Sequence, residues 1–300
     1  MARVKPAASA VRKKEALLAY SIIGPIYLWF LVLIIVPIGI GIFISFTEWN
    51  GLASHPTWVG LHNYSTFFSS PDYLLSLWRQ IWIGGLGFVA NTVIALVLAL
   101  MLNVPMKLRG LFRSTFFVPS ISSVATTTAV VIALLNPQSG PLNRALQSLG
   151  MEPVVWSYST FWMVFWITAY NLWRSVGPTA IVWLAGLQSI DPTLYEAARI
   201  DGANRLQLIR YVTLPGLRPI ASYIVITGLI GSMQMWDSVM FLSRGGPVGH
   251  TDVLMYRIYR DGLESFNMGM SGASSMVLGA VTLLLTFVYI QFFVRRQENA

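Results

Sequence analysis

The sequence predicts an all-α, polytopic membrane protein with six transmembrane helices and one amphipathic loop facing the cytoplasm. Three observations predict it. Only 11% of the residues are charged against 55% hydrophobic, with a mean hydropathy of +0.62. A soluble domain carries about 25% charged residues and needs them to cover its surface. The apolar residues gather into six long segments, and the lysines and arginines lie mostly on one side of them. Cysteine is absent, which excludes a disulfide framework, a thiolate nucleophile and a Cys-ligated metal. The net charge of +8 follows membrane orientation, so no nucleic-acid partner is expected.

The elements follow in order. Residues 1–17 are a basic N-terminus. The apolar run from Leu17 to Phe46 is too long for the core of a cleaved signal peptide, which spans about 7–15 residues. It is read as a retained first span, 18–46, with Pro25 and Pro37 expected to kink it or mark its start. Further spans are predicted at 81–104, 114–136, 160–187, 219–242 and 270–294, each near the roughly 20 residues that cross a bilayer. Residues 18–294 thus form one transmembrane domain with a loop at 188–218, and 295–300 are a C-terminal tail.

Arg3, Lys5, Arg12, Lys13, Lys14, Lys107, Arg109, Arg113, Arg199, Arg205, Arg210, Arg218, Arg295 and Arg296 share one side. Arg79, Arg144, Arg244, Arg257 and Arg260 lie on the other. The basic side is expected to be cytoplasmic, which places both termini inside. The two halves do not read as inverted copies, which weighs against many secondary-transporter folds.

The loop "LAGLQSIDPTLYEAARIDGANRLQLIRYVTLPGLRP" is the most charged stretch between two spans. Asp191-Pro192 fits a helix start. Leu194, Ala197 and Ala198 share a face by three-to-four spacing. Gly202 interrupts where a positive φ is easiest. Leu206, Ile209 and Val212 line a second helical piece, which Pro215 and Pro219 are expected to end. Two readings stand. Either the loop lies on the bilayer with its arginines on anionic lipid, or it docks a cytoplasmic protein. Glu196 and Asp201 sit poorly against anionic lipid, and Ala197-Ala198 permits close approach.

Glu196-Ala197-Ala198, Asp201-Gly202-Ala203 and Leu214-Pro215 resemble the EAA signature of binding-protein-dependent ABC importer permeases. "WVGLHNYSTFF" (58–68), "NTVIALVLALMLN" (91–103) and "GGP" (245–247) with Thr251 resemble the carbohydrate-uptake branch of that family, on its maltose-permease F-like side. The resemblance covers nearly the whole chain. It implies a type I ABC importer permease fold, in which those EAA residues form coupling helices seated on an ATP-hydrolysing subunit and Gly202 makes their bend. It implies as partners a second EAA-type permease, two ATPase subunits, an extracytoplasmic sugar-binding protein, a sugar and membrane lipid. It implies the cytoplasmic (inner) membrane of a bacterium or archaeon. Arg244 departs from the family, which often has a small or polar residue there.

The chemistry of the remaining residues agrees with a non-catalytic subunit. No G-x-x-x-x-G-K-[ST] occurs, so the chain has no P-loop for ATP. ATP and Mg are expected on the partner ATPase subunits, and no cofactor on this chain. His55, His62 and His250 lack zinc-site spacing, and no metal site is expected. No serine sits in a GxSxG elbow. Arg174 and Asp237 fall inside spans, where a charge costs roughly 2.5–3.5 kcal/mol on insertion scales. They are read either as an ion pair fixing the fourth and fifth spans, or as a polar translocation lining, or as snorkelling groups. In the lining reading Asn171 and Gln234 join them, with Tyr170, Trp173 and Trp236 as faces on which a sugar stacks. The cargo is a sugar, or alternatively glycerol phosphate or another polyol derivative. An ion-coupled secondary transporter is the competing class. Gly84, Gly85, Gly87, Gly269, Gly272 and Ala273 permit close packing with neighbouring spans or a paired permease.

Overall fold

The computed structural model describes residues 7–103 and 109–294. Lys107, the tail bearing Arg295 and Arg296, and the N-terminal residues Arg3 and Lys5 lie outside the described residues. The architecture is helical throughout, apart from a two-residue antiparallel ladder pairing Thr47 with Trp58 and Glu48 with Thr57.

The first span is α1 (Ala7–Phe30), a π turn at Leu31–Ile35 and α2 (Val36–Ser45). Pro25 neither breaks nor starts it. Glu15–Ser45 counts as one 31-residue apolar helix. The π turn ends two residues before Pro37, with the Val36 N–H donating to the Leu31 carbonyl. Proline lacks an N–H, and its ring crowds the carbonyl four residues back. Widening one turn accommodates that without a sharp kink. Every residue from Glu15 to Ile40 is exposed on this chain, which costs nothing against lipid tails.

Next come α3 (His62–Ser69) and α4 (Pro71–Leu102). The second span therefore begins ten residues before the expected 81. Pro71 at its first turn and Asp72 near its positive end start it early. Arg79 rides on this helix, not in a loop.

The third span is broken. α5 (Arg109–Ile121) and α6 (Val124–Leu134) meet at 104° across Ser122 and Ser123. The expected continuous helix at 114–136 is corrected accordingly. Pro119 removes a ladder bond, and the Ser120, Ser122 and Thr127 hydroxyls donate to nearby carbonyls in competition with the ladder. A short α7 (Pro141–Ser148) leads to α8 (Thr160–Ser189), an unbroken fourth span of 30 residues that continues through Pro178.

The loop forms α9 (Pro192–Ile200) and α10 (Arg205–Leu208), then a π turn at Ile209–Thr213 and α11 (Leu214–Gly216). Pro215 does not end the helix as expected. Again a π turn ends two residues before the proline. At Leu217 the chain bends by 66° into α12 (Arg218–Met233), with Pro219 in its first turn.

The fifth span is broken as well. α12 has 16 residues, about 24 Å against a hydrocarbon core of about 30 Å. Gln234 to Trp236 are non-helical, and α13 (Asp237–Leu242) resumes beyond them. The single helix expected at 219–242 is therefore two pieces. After α14 (Leu254–Tyr259), α15 (Met268–Tyr289) runs into a last π turn to Val294 as the sixth span.

Among the described residues, three helices are long and apolar enough to cross, or five counting each bent pair. α8 completes six by length, about 45 Å, its apolar character diluted by Asn171 and Arg174. One core packs α4, α8 and α12 through Ala95, Ala99, Ala180, Trp183, Leu184 and Leu217. Two further cores bind α14 to α3 and α15, and α13 to α8. Gly269 and Gly272 meet the backbone of Thr47 and Ser45, and Ala273 is fully buried. These small residues therefore serve packing inside this chain.

Candidate functional site

A cavity of about 570 Å³ opens between α4, α8 and the broken fifth span. Residues at helical spacing line it. α4 gives the stripe Gly84, Phe88, Asn91, and α8 gives Asn171, Arg174, Ser175, Pro178, Thr179 and Val182. α12 gives Tyr223, Thr227, Gly228 and Gly231, and the break gives Gln234 and Asp237. Hydroxyl and amide groups alternate with Phe88 and Tyr223 rings in this wall. One positive and one negative side chain face it.

Four of the seven path residues expected from sequence are thus brought together: Asn171, Arg174, Gln234 and Asp237. The other three stand elsewhere. Tyr170 is buried beside the third span, with its hydroxyl 2.8 Å from Thr127 Oγ1. Trp173 is half exposed and lies about 200° around α8 from Asn171 at 100° per residue. Trp236 stacks on Tyr259 at 4.7 Å. The rings that do reach the cavity, Phe88 and Tyr223, were missed among the many aromatics of this chain. The signal for Phe88 was a small-and-polar stripe in an apolar span, Gln80-Gly84-Phe88-Asn91 at four, four and three residues.

Arg174 and Asp237 make no ion pair with each other. Arg174 Nη1 donates to the Ser122 carbonyl at 2.9 Å and to Thr127 Oγ1 at 3.3 Å. The Ser122 carbonyl lies just past the end of α5, where the break leaves carbonyls without helical partners. A cation is favourable at such a C-terminus. Asp237 Oδ1 accepts from the Ser238 N–H at 2.7 Å. Asn171 Nδ2 donates to Ser238 Oγ at 2.9 Å, tying the fourth span to the piece beyond the break.

The second place is the loop. Asp191 caps α9, its carboxylate accepting from the Thr193 N–H at 2.9 Å. That bond, with further hydrogen bonding from Thr193, holds the Asp191 carboxyl below its ordinary range. The helix ends in a Schellman turn. The Gly202 N–H donates to the Arg199 carbonyl and the Ala203 N–H to the Ala198 carbonyl. Gly202 has φ +82°, as this turn demands. Asn204 and Gln207 then form a reciprocal capping box for α10. Tyr195 and Thr213 hydroxyls, 3.1 Å apart, link the two helical pieces.

This compact turn leaves its surface uncovered. Glu196, Ala197, Asp201 and Gly202 are exposed, Ala198, Ala203 and Pro215 half-buried. Leu194 is 53% exposed, Ile200 86%, Leu206 74% and Leu214 46%. Apolar knobs thus stand among acids and arginines on a self-supported frame. A smaller cleft, lined by Leu187, Ile190, Tyr195, Glu196 and Arg199, opens at the base of α9.

On the far side of the fifth span, Gly245 to Asp252 fold into a tight loop in which Thr251 Oγ1 donates to the Gly246 carbonyl at 2.6 Å. Asp252 Oδ2 takes Arg257 at 3.0 Å and Arg260 at 3.1 Å, and Tyr73 donates to Asp261 at 2.7 Å. This cluster around the buried Asp252 is not legible in the sequence, because its members are spread over a loop, α14, the π turn at Arg260–Glu264 and the start of α4.

A broken-helix cavity in a polytopic bundle, with a self-capped amphipathic loop, defines a membrane transport subunit. The chain belongs to the family described as binding-protein-dependent transport system inner membrane component, which matches residues 91–299. It is similar to the arabinooligosaccharides transport system permease protein AraP of Halalkalibacterium halodurans, 32% identical, over 91% of this chain and 85% of that one. It is similar to the trehalose/maltose transport system permease protein MalF of Thermococcus litoralis, 29% identical, over 94% and 96%. Its fold matches a chain of a bacterial alginate ABC transporter, solved with an alginate pentasaccharide-bound periplasmic protein. That match has a TM-score of 0.83 at 25% identity, covering 95% of this chain and 96% of that one.

Proposed function

We propose that this chain is a permease subunit of an ATP-driven, binding-protein-dependent sugar importer, and that the loop 192–216 is where the ATPase docks. The observation that carries the docking is a folded turn whose apolar residues have no partner on this chain. Leu194, Ile200 and Leu206 are too exposed to stabilise the loop itself, and Glu196 and Asp201 disfavour an anionic bilayer surface. Closure of two ATPase subunits, which hold ATP and Mg, pulls α9 and rocks the spans between inward- and outward-facing states. Glu196, Ala197, Ala198, Asp201, Gly202 and Ala203 form the contact, with Leu214 and Pro215 carrying the motion into α12.

The cavity is this chain's share of the path, with a second EAA-type permease completing it. An extracytoplasmic binding protein delivers the sugar at the opposite face, and both termini are cytoplasmic. The lining supports an uncharged polyol. Amide and hydroxyl groups match its hydroxyls, and Phe88 and Tyr223 offer rings to its C–H faces. Arg174 is balanced by Asp237, which favours a sugar over a phosphate ester. The named relatives and the alginate transporter, all carbohydrate systems by their names, support a carbohydrate cargo, although alginate itself is acidic.

The test is purification of this chain from native membranes in detergent with whatever accompanies it. An ATPase and a second permease are expected to co-elute. Glu196→Lys is expected to lose the ATPase while keeping the second permease and membrane insertion. Full ATP-driven transport by Glu196→Lys would overturn the docking assignment.

A further inference from the structure

The two breaks in this bundle are held alike. In each, an unbroken span sends one long side chain to the carbonyl groups the break has left without helical partners. Arg174 of α8 does so at Ser122. At the fifth span the holder is Gln80, the first residue of the small-and-polar stripe on α4. Gln80 is completely buried. Its Nε2 donates to the Ser232 carbonyl at 3.0 Å and the Met235 carbonyl at 3.3 Å. Its Oε1 accepts from the Met255 N–H at 3.0 Å, in the first turn of α14. The Ser232 carbonyl and the Met255 N–H are backbone groups orphaned by a helix end, and the Met235 carbonyl belongs to the non-helical stretch of the break itself. One turn along α4, Gly84 lets the backbones meet. A Cβ there would lie 2.6 Å from the Ser232 oxygen.

We propose that Gln80 is the positioning residue that holds the break in the fifth span, and through it sets where Gln234 and Asp237 stand in the cavity wall. A glutamine suits the task because one amide offers two donors to two carbonyls and an acceptor to an N–H. No apolar residue of that size satisfies any of the three, and a carboxylate satisfies only the N–H. The consequence for transport rests on the reading of this cavity as the path, but the geometry of the break does not.

The absence of cysteine makes the test clean. Ser238 lies just beyond the break, is fully buried and bonds Asn171. In a Ser238→Cys chain, within the complex purified from native membranes, labelling by a membrane-impermeant maleimide is followed by the intact mass of this chain. Adding Gln80→Met is expected to speed labelling by about tenfold or more, since buried carbonyls lose their donor. Gln80→Glu supplies a reversible version within one folded protein. Its labelling rate, divided by that of Gln80 at each pH, is expected to fall as pH drops from about 8 to about 6. There the buried carboxyl takes up a proton and regains a donor. Ratios near one for both variants would overturn the proposal, as would a Gln80→Glu ratio that does not move with pH. Labelling needs neither ATP nor sugar, so failure here is separate from failure of the transport reading.

Discussion

At the scale of single residues, what decides behaviour is which polar group has which partner. Asp252 accepts two arginines in a site only 4% exposed. Removing it takes the ion-pair partner from both cations, with the larger loss at Arg257, whose side chain is 13% exposed against 33% for Arg260. Asp252→Ala is therefore expected to lower the thermal unfolding temperature of the detergent-solubilised chain sharply. Asp261 differs. Burial raises its carboxyl above the ordinary range, outweighing the Tyr73 hydrogen bond and the nearby arginines that pull it down. An acid raised in the folded state contributes stability below its unfolded value, 3.8. That contribution is lost as pH rises through the folded value. Asp261→Asn keeps an acceptor for Tyr73 and removes the titration. Relative to the parent, its unfolding temperature is expected to improve as pH rises from 3.8 toward neutrality. A constant difference across that range would contradict the raised carboxyl. Gly202 is the third case. Any side chain at its φ of +82° costs about 1–2 kcal/mol. Gly202→Pro also deletes the N–H that closes the Schellman turn. Loss of ATPase stimulation with unchanged membrane insertion is the expected result.

Elements here are shaped by how helices start, widen and stop. Two π turns end two residues before a proline, at Pro37 and at Pro215. Both helices pass the proline without a break because the extra residue relieves the ring's clash. The loop at 192–216 stands on its caps. Asp191 fixes the start of α9, and its depressed carboxyl means that the cap is present above 3.8 and lost as pH falls through the folded value. Asp191→Ala is expected to speed hydrogen exchange of the Thr193 and Leu194 amides at neutral pH. In the parent chain the protection of these amides, taken relative to their intrinsic exchange rate at each pH, is expected to be lost only in acid. Equal exchange in the two at neutral pH would remove the cap from the account. Both broken spans border the cavity, the third through Ser120 and the fifth along α12, and at the breaks backbone hydrogen-bonding groups are met by side chains from neighbours. Irregular backbone is tolerated at membrane depth only where protein or a cavity satisfies it.

Across the whole molecule, the bundle divides its labour. α4, α8 and α15 are continuous and packed, while the third and fifth spans bend. The charged pair at the centre belongs to the cavity wall. Asp237→Ala is expected to lower sugar transport while the ATPase remains bound, because no ion pair between spans depends on it. Dissociation of the complex on that substitution would instead assign Asp237 a role in assembly.

Much of this was readable from sequence, for a physical reason. A bilayer demands long apolar runs, and Asp-Pro starts, positive-φ glycines and charged loops are local signals written in a few neighbouring residues. The six segments, the helix–Gly–helix loop around Gly202 and the polar positions Asn171, Arg174, Gln234 and Asp237 followed from them. What the sequence alone could not decide was where a run of apolar residues stops being one helix. The break at Ser122 has local contributors in Pro119 and the hydroxyls around it, but Pro178 sits inside α8 without breaking it, so such marks alone do not fix a break. The break at Gln234 has no proline or glycine at it. Both breaks persist because Arg174 and Gln80, 52 and more than 150 residues away in the chain, satisfy the groups exposed there. Nor could it decide which aromatics face the cavity, since what separates Phe88 on α4 from Trp173 on α8 is which side of its own helix is turned to the cavity. A partner supplied from another span leaves no local mark, so only the tertiary structure settles it.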